Sequence, residues 1–190
     1  ITNEIRITKE LSDDYSPDIF IDNNQKLWLC WVSNINGKYD IYACTYKNDI
    51  LSEPTQITFS KDDAFHSALA CNSKNDIFIT YYKWDFIGHL SRDRDVFMRK
   101  YQKNKWSTET RISPSKPDFD DATDPVIVCS GKDSVYVAYS YDYHPGCYLK
   151  EEQAYGPTIF MQNVSKDFNE NNQTLIGTKE KLVWQIPTTG

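Results

Sequence analysis

Apolar residues recur along this chain in short runs, separated by polar stretches rich in turn-forming residues. The densest runs are Leu27-Trp28-Leu29, Ile77-Phe78-Ile79 and Val135-Tyr136-Val137, and each is followed two residues later by an aromatic: Trp31, Tyr81 and Tyr139. Short apolar runs rich in aromatic and β-branched residues, bounded by turn signals, predict buried strands. After the first run comes Asn34-Ile35-Asn36-Gly37. An Asn-Gly pair predicts a tight hairpin, because both residues tolerate positive φ. Tyr39 to Tyr46 then reads as the returning strand, Lys47-Asn48-Asp49 as a second turn, and Gln56-Ile57-Thr58 as the end of a third short strand.

This meander recurs. Its strand-end anchor is Ile7-Thr8, Ile57-Thr58, Ile112-Ser113 and, more weakly, Ile186-Pro187. A further anchor is Asp40-Ile41-Tyr42, Asp95-Val96-Phe97 and Thr158-Ile159-Phe160. Ahead of each apolar run another strand is predicted: Asp18 to Asp22, Ala68 to Asn72 and Val126 to Ser130. A four-stranded antiparallel repeat with a period of roughly 50 residues is the blade of a β-propeller. The chain is therefore expected to be all-β, with about three blades over residues 9–58, 59–113 and 114–190, the last with an inserted loop. Residues 1–8 read as the end of a preceding blade. Three blades do not easily close a ring. The expectation is a partial propeller or half of a larger ring, partnered by the remaining blades of a longer protein or by a second copy of the chain.

Composition narrows the function. With 13 Tyr, 9 Phe and 5 Trp the chain is rich in residues that suit pleated surfaces. The net charge of -6 and the absence of a Lys/Arg block argue against nucleic acid. No apolar run approaches the roughly 20 residues of a membrane helix, so no membrane insertion is expected. The five cysteines match no zinc or redox spacing. Cys30, Cys44, Cys71 and Cys129 fall in predicted strands and read as buried thiols; Cys147 falls in a loop and is the one placed for a bridge. There is no phosphate-binding loop, dinucleotide fingerprint or serine-hydrolase elbow, and no cofactor is expected.

The blade reads as an Asp-Asp pair, then Ser16-Pro17 or Asp124-Pro125, then Leu27 to Trp31, then Gly37-Lys38-Tyr39-Asp40-Ile41-Tyr42, then Leu51 to Thr58, with Trp106-Ser107 to Ile112-Ser113 repeating the last element. This resembles the propeller repeats of the TolB-like and sialidase-like (BNR-type) bacterial families. The resemblance implies a propeller and an extracytoplasmic location, against which the odd cysteine count stands. The Ser-x-Asp-x-Gly-x-Thr-Trp box of sialidases is absent, and no arginine triad carries over. Asp124-Pro125 is similar to the Asp-Pro that opens a blade in five-bladed glycosidases.

Blade strands alternate in direction, so the segment leading into strand one and the one joining strands two and three share a face. Leading in are Ser12 to Ser16, Lys61 to His66 and Phe119 to Asp124, each with an Asp-Asp pair. The joining loops are expected at Asn34 to Lys38, Asp85 to Arg94 and Asp142 to Gln153. This face offers carboxylates, imidazoles, guanidinium groups and aromatic planes, the chemistry of a sugar or peptide site. The candidate ligand-binding residues are Asp14, Asp63, His66, Trp84, His89, Arg92, Asp121, Asp124, Tyr143 and His144. The carboxylates could also hold Ca²⁺, or serve simply as turn residues. The leading expectation is a non-catalytic bacterial binding module recognising a protein or glycan. The alternative is a carbohydrate-active enzyme with paired carboxylates drawn from Asp63, Asp124, Glu151 and Glu152.

Overall fold

The computed structural model describes residues 4–87, 91–113, 120–130, 134–143 and 155–165. Their thirteen strands are β1 (Asp14–Ile21), β2 (Leu27–Ser33), β3 (Asp40–Lys47), β4 (Ile50–Leu51), β5 (Thr55–Gln56), β6 (Asp63–Cys71), β7 (Ile77–Ile87), β8 (Ser91–Gln102), β9 (Lys105–Trp106), β10 (Thr110–Arg111), β11 (Asp120–Ser130), β12 (Ser134–Tyr143) and β13 (Tyr155–Asn163). No helix occurs among the described residues. The fold is all-β, an arc of propeller blades.

The first blade runs β1-β2-β3, and β4 and β5 both pair with β3 as a split outer strand. The second runs β6-β7-β8 with β9 and β10 on β8, and the third β11-β12-β13. Neighbours within a blade are antiparallel; a single parallel bridge, Asp121 to Arg94, links β11 to β8 of the blade before. Residues 4–8 form no strand, although Ile7 packs against the buried Trp31, Tyr42 and Cys44.

The inner strands correct the sequence reading. They begin well before Asp18, Ala68 and Val126, so most of the polar segments expected as loops are strand. Similarly, β7 and β8 extend to Ile87 and back from Ser91, leaving a far shorter connection than the loop expected at Asp85 to Arg94. The physical reason is a bulge in each inner strand. The register jumps between Tyr15 and Asp18, Phe65 and Ala68, and Thr123 and Val126. Ser16, His66 and Asp124 sit there with φ of 50°, 46° and 51°. The left-handed residue absorbs the extra position, and pairing resumes on both sides.

Two apolar layers join the blades. Trp28, Cys30, Val32, Ile41 and Ala43 of the first pack against Leu69, Ile77, Ile79 and Tyr81 of the second. Phe78, Val96, Met98 and Ile112 of the second pack against Val135, Val137, Tyr139 and Tyr141 of the third. β7 thus sends alternate side chains to opposite neighbours, which is why it reads as continuous apolar sequence.

A polar clasp fixes the outer strand of the first and of the second blade. The buried Asp40 carboxylate accepts from the Thr58 hydroxyl at 2.7 Å, from Gln56 Nε2 at 3.0 Å and from Lys38 Nζ, while Thr58 Oγ1 accepts from the Ile41 amide at 3.0 Å. In the second blade Asp95 accepts from the Ser113 hydroxyl at 2.7 Å and from Arg111, and Ser113 Oγ accepts from the Val96 amide at 3.1 Å. The Ile57 and Ile112 amides reach the Ile41 and Val96 carbonyls, each at 2.7 Å.

Two predictions follow from this packing. Thr58→Val leaves the Ile41 amide without its acceptor and removes one of three donors to Asp40, and should cost about 1–3 kcal/mol in urea denaturation. Ser113→Ala should behave alike, with nearly additive loss in the double variant because the two clasps share no residue. Burial pushes the Cys30 thiol up to about 12 and raises the Cys44 and Cys71 thiols too, so access is what separates them. The thiolate is the reactive form. Brief iodoacetamide treatment at pH 8, read by peptide mass spectrometry, should label the half-buried Cys71 and Cys129 and spare Cys30 and Cys44.

Candidate active site

The inner strands β1, β6 and β11 line one axial cavity of about 630 Å³. The three bulge residues, Ser16, His66 and Asp124, are part of its wall. Asp18 helps hold that wall together, accepting from the Leu69 amide of the next blade at 2.7 Å. Cys71 and Cys129 occupy equivalent places further along it.

His66 and Asp124 meet, with Nδ1 to Oδ1 at 3.1 Å. Their side chains are 49% and 60% exposed, so a ligand can reach both. The Thr123 hydroxyl donates to the other Asp124 oxygen at 3.1 Å. The His66 ring stacks on Tyr82 at 5.7 Å. Burial raises the Tyr82 phenol, the Asp124 and Asp121 charges add to the rise, and Arg94 opposes it. These groups therefore share one electrostatic neighbourhood. Arg94 lies cross-strand from Trp84, its guanidinium 5.2 Å from that ring, and its Nε is 3.7 Å from Asp121. Half-buried rings support the site from below: Tyr15, Tyr39, Phe65 and Tyr82 follow one another at 5.5 Å spacings.

Of the residues singled out in the sequence, the structure gathers His66, Trp84, Asp121 and Asp124. Asp63 is occupied otherwise: its Oδ1 accepts from the Tyr39 amide at 2.9 Å, tying the second blade to the first. Asp14 accepts from the Ser12 hydroxyl at 3.1 Å, which is turn chemistry. Arg92 and Tyr143 lie in β8 and β12, where only their backbone is described, paired with Phe86 and Asp120. His89, His144, Glu151, Glu152 and Cys147 lie outside the described residues. The sequence also offers these carboxylates to Ca²⁺; among the described residues no three His, Cys, Asp or Glu side chains are grouped to hold a metal ion.

Sequence reading missed Tyr82, Arg94 and Ser16 as members of the site. The Trp84–Arg94 register selects Arg94 from the Arg92-Asp93-Arg94-Asp95 run, and no local pattern reveals that register. Ser16 had a usable signal, since Ser16-Pro17 matches the position of Asp124-Pro125.

No protein-family model and no curated protein matches the chain. Solved structures do. A thermostable family-43 glycoside hydrolase matches with a TM-score of 0.55 at 14% identity, over 83% of this chain and 53% of that one. An α-L-arabinanase of Penicillium chrysogenum complexed with arabinobiose matches with 0.53 at 12% identity, over 76% and 46%. An α-L-arabinofuranosidase of Fusarium graminearum, in complex with an iminosugar inhibitor, matches with 0.58 at 10% identity, over 86% and 48%. The chain thus spans about half the length of these structures. The TolB-like and sialidase-like resemblance is supported as far as the propeller itself. The expectation of a non-catalytic binding module is corrected: these three similar structures are glycoside hydrolases, which favours the carbohydrate-active alternative.

Proposed function

We propose that this chain carries the catalytic end of a β-propeller glycoside hydrolase and that Asp124 is one of its two working carboxylates. The observation that carries this reading is the placing of Asp124: half-exposed, on a left-handed bulge of an inner strand, in the wall of the axial cavity and beside His66. Cleaving a glycosidic bond in this manner needs one carboxyl group to protonate the leaving oxygen and a second to activate water or attack carbon. A carboxylate that accepts an imidazole N–H and a threonine hydroxyl is oriented as an acceptor, which suits the second role.

Glu151 or Glu152 is the partner this reading selects. Their segment leaves β12 after Tyr143 and returns at Tyr155, and Tyr143 pairs with both Tyr155 and Asp120. Both ends of the segment are thereby anchored at the end of the third blade that bears Asp121 and Asp124. Asp63 is a poorer partner, because its carboxylate already holds the Tyr39 amide.

Arabinose-containing glycans are the substrates this reading puts first, from the arabinanase and arabinofuranosidase among the similar structures. An extracytoplasmic place of action fits such a substrate. The rest of the ring would cover the outer faces of the first and third blades, where Ile19, Ile21, Val126, Val128, Ile159 and Met161 are each more than half exposed. Either further blades or a second copy of the chain would do this.

Reducing-sugar release from arabinan and hydrolysis of a nitrophenyl α-L-arabinofuranoside test the proposal. Asp124→Asn should lower kcat by about 100-fold or more with the melting temperature little changed. Whichever of Glu151→Gln and Glu152→Gln gives a comparable loss identifies the second carboxylate. Full activity in Asp124→Asn would overturn the reading.

A further inference from the structure

Among the described residues nine non-glycine residues have positive φ. Six of them, Gln25, Asn48, Asp49, Asn75, Lys103 and Asn104, lie between strands at hairpin turns, where a left-handed residue is what the turn requires. The other three, Ser16, His66 and Asp124, lie inside strands at equivalent bulges of the three blades. Glycine is the usual residue at the left-handed position of such a bulge. This chain uses none at any of the three.

The identities at the three positions carry the argument. A purely structural requirement that recurs in each blade draws the same chemistry each time. The outer-strand clasp of the first two blades does so, with Asp40 and Asp95 opposite Thr58 and Ser113. The bulges do the opposite. They keep the same strained backbone and vary the side chain: a hydroxyl, an imidazole and a carboxylate. Strain of this kind persists where the site over-determines it, and such residues cluster at ligand sites. All three residues border the same cavity, whose volume of about 630 Å³ is of the size that holds a small ligand.

We infer that Ser16 and His66 contact the ligand directly together with Asp124, each blade presenting one side chain through its bulge to a single polyhydroxylated sugar at the axis. This rests on the glycosidase reading for the class of ligand. A hydroxyl and an imidazole are donors and acceptors matched to sugar hydroxyl groups. They add no further charge of the Asp124 kind, so they bind and orient rather than repeat its role.

The test compares glycine substitutions in the two sets of positions, using arabinobiose as the probe in isothermal calorimetry and arabinan turnover as a second readout. Ser16→Gly and His66→Gly should each raise the melting temperature by about 2–4 °C, because glycine relieves the left-handed backbone. Each should also weaken arabinobiose binding about tenfold. Gln25→Gly and Lys103→Gly should raise the melting temperature similarly and leave binding and turnover unchanged. If Ser16→Gly and His66→Gly bind and turn over as the unaltered protein does, this inference falls while the role of Asp124 stands. If those two variants melt no higher than the unaltered protein, the strain argument falls. If the unaltered protein neither binds arabinobiose nor cleaves arabinan, the ligand class argued here falls together with the arabinose reading.

Discussion

Each sheet in this chain is apolar on both faces, and a sheet of that kind is stable only when something packs on each side. That requirement sets the architecture. β7 shows it in its alternation: Ile77, Ile79 and Tyr81 turn to the first blade, Phe78 and Tyr82 to the third. Fully burying one such side chain contributes about 1.5–3 kcal/mol. The middle blade, covered on both sides, collects most of this gain. It holds Tyr81, Ile77, Ile79, Val96, Met98 and Ile112, all 2% exposed or less. The third blade keeps one covered face, the first has Ile7 over Trp31, Tyr42 and Cys44 on its second face, and Ile19, Ile21, Ile159 and Met161 remain exposed on these two blades. Further sheet packing is the natural continuation of the same interaction.

Face-to-face packing alone would let the sheets slide, and the polar contacts limit that. The clasps place a carboxylate, a hydroxyl and two backbone amides where the outer strand meets β3 or β8. Burying those groups unpaired would be costly, so their pairing constrains register more than it adds net stability. Contacts between blades do similar work. The Asp18 carboxylate holds the Leu69 amide, Asp63 holds the Tyr39 amide, and Asn23 reaches the Asn72 carbonyl. These bonds join side chains of one blade to the backbone of the next, and so fix how the inner strands present the cavity.

The repeat, the middle strands and the hairpin at Asn36-Gly37 were legible because they depend on local chemistry. Gly37 does take a φ of 85°. The Ile-Thr and Ile-Ser endings were visible as anchors without a reason; the clasp supplies it, since Thr58 and Ser113 are the hydroxyls that reach Asp40 and Asp95. The first half of each inner strand was not legible. Asp13-Asp14-Tyr15-Ser16 reads as a turn by composition, and only a bulge lets such residues remain in a ladder. Grouping at the site was half legible. The Asp-Asp pairs looked alike, yet Asp63 holds a backbone amide and Asp121 faces Arg94, a division set by cross-blade geometry.

The recurring aromatic of the sequence pattern finds its reason at the bulges. In each blade two inner-strand residues stand opposite one residue of the next strand, and that residue is Trp31, Tyr81 or Tyr139. All three are buried. A left-handed non-glycine residue costs about 1–2 kcal/mol, so three of them would consume a large share of the roughly 5–15 kcal/mol by which a domain is stable. A large ring buried opposite each bulge contributes on the same scale as the strain beside it. The aromatic and the bulge are therefore one unit: the ring is buried opposite the strained residue, and the strained residue borders the axial cavity. A sequence that kept the rings and placed glycine at 16, 66 and 124 would hold the same fold more firmly and lose the hydroxyl, imidazole and carboxylate that distinguish the axial cavity.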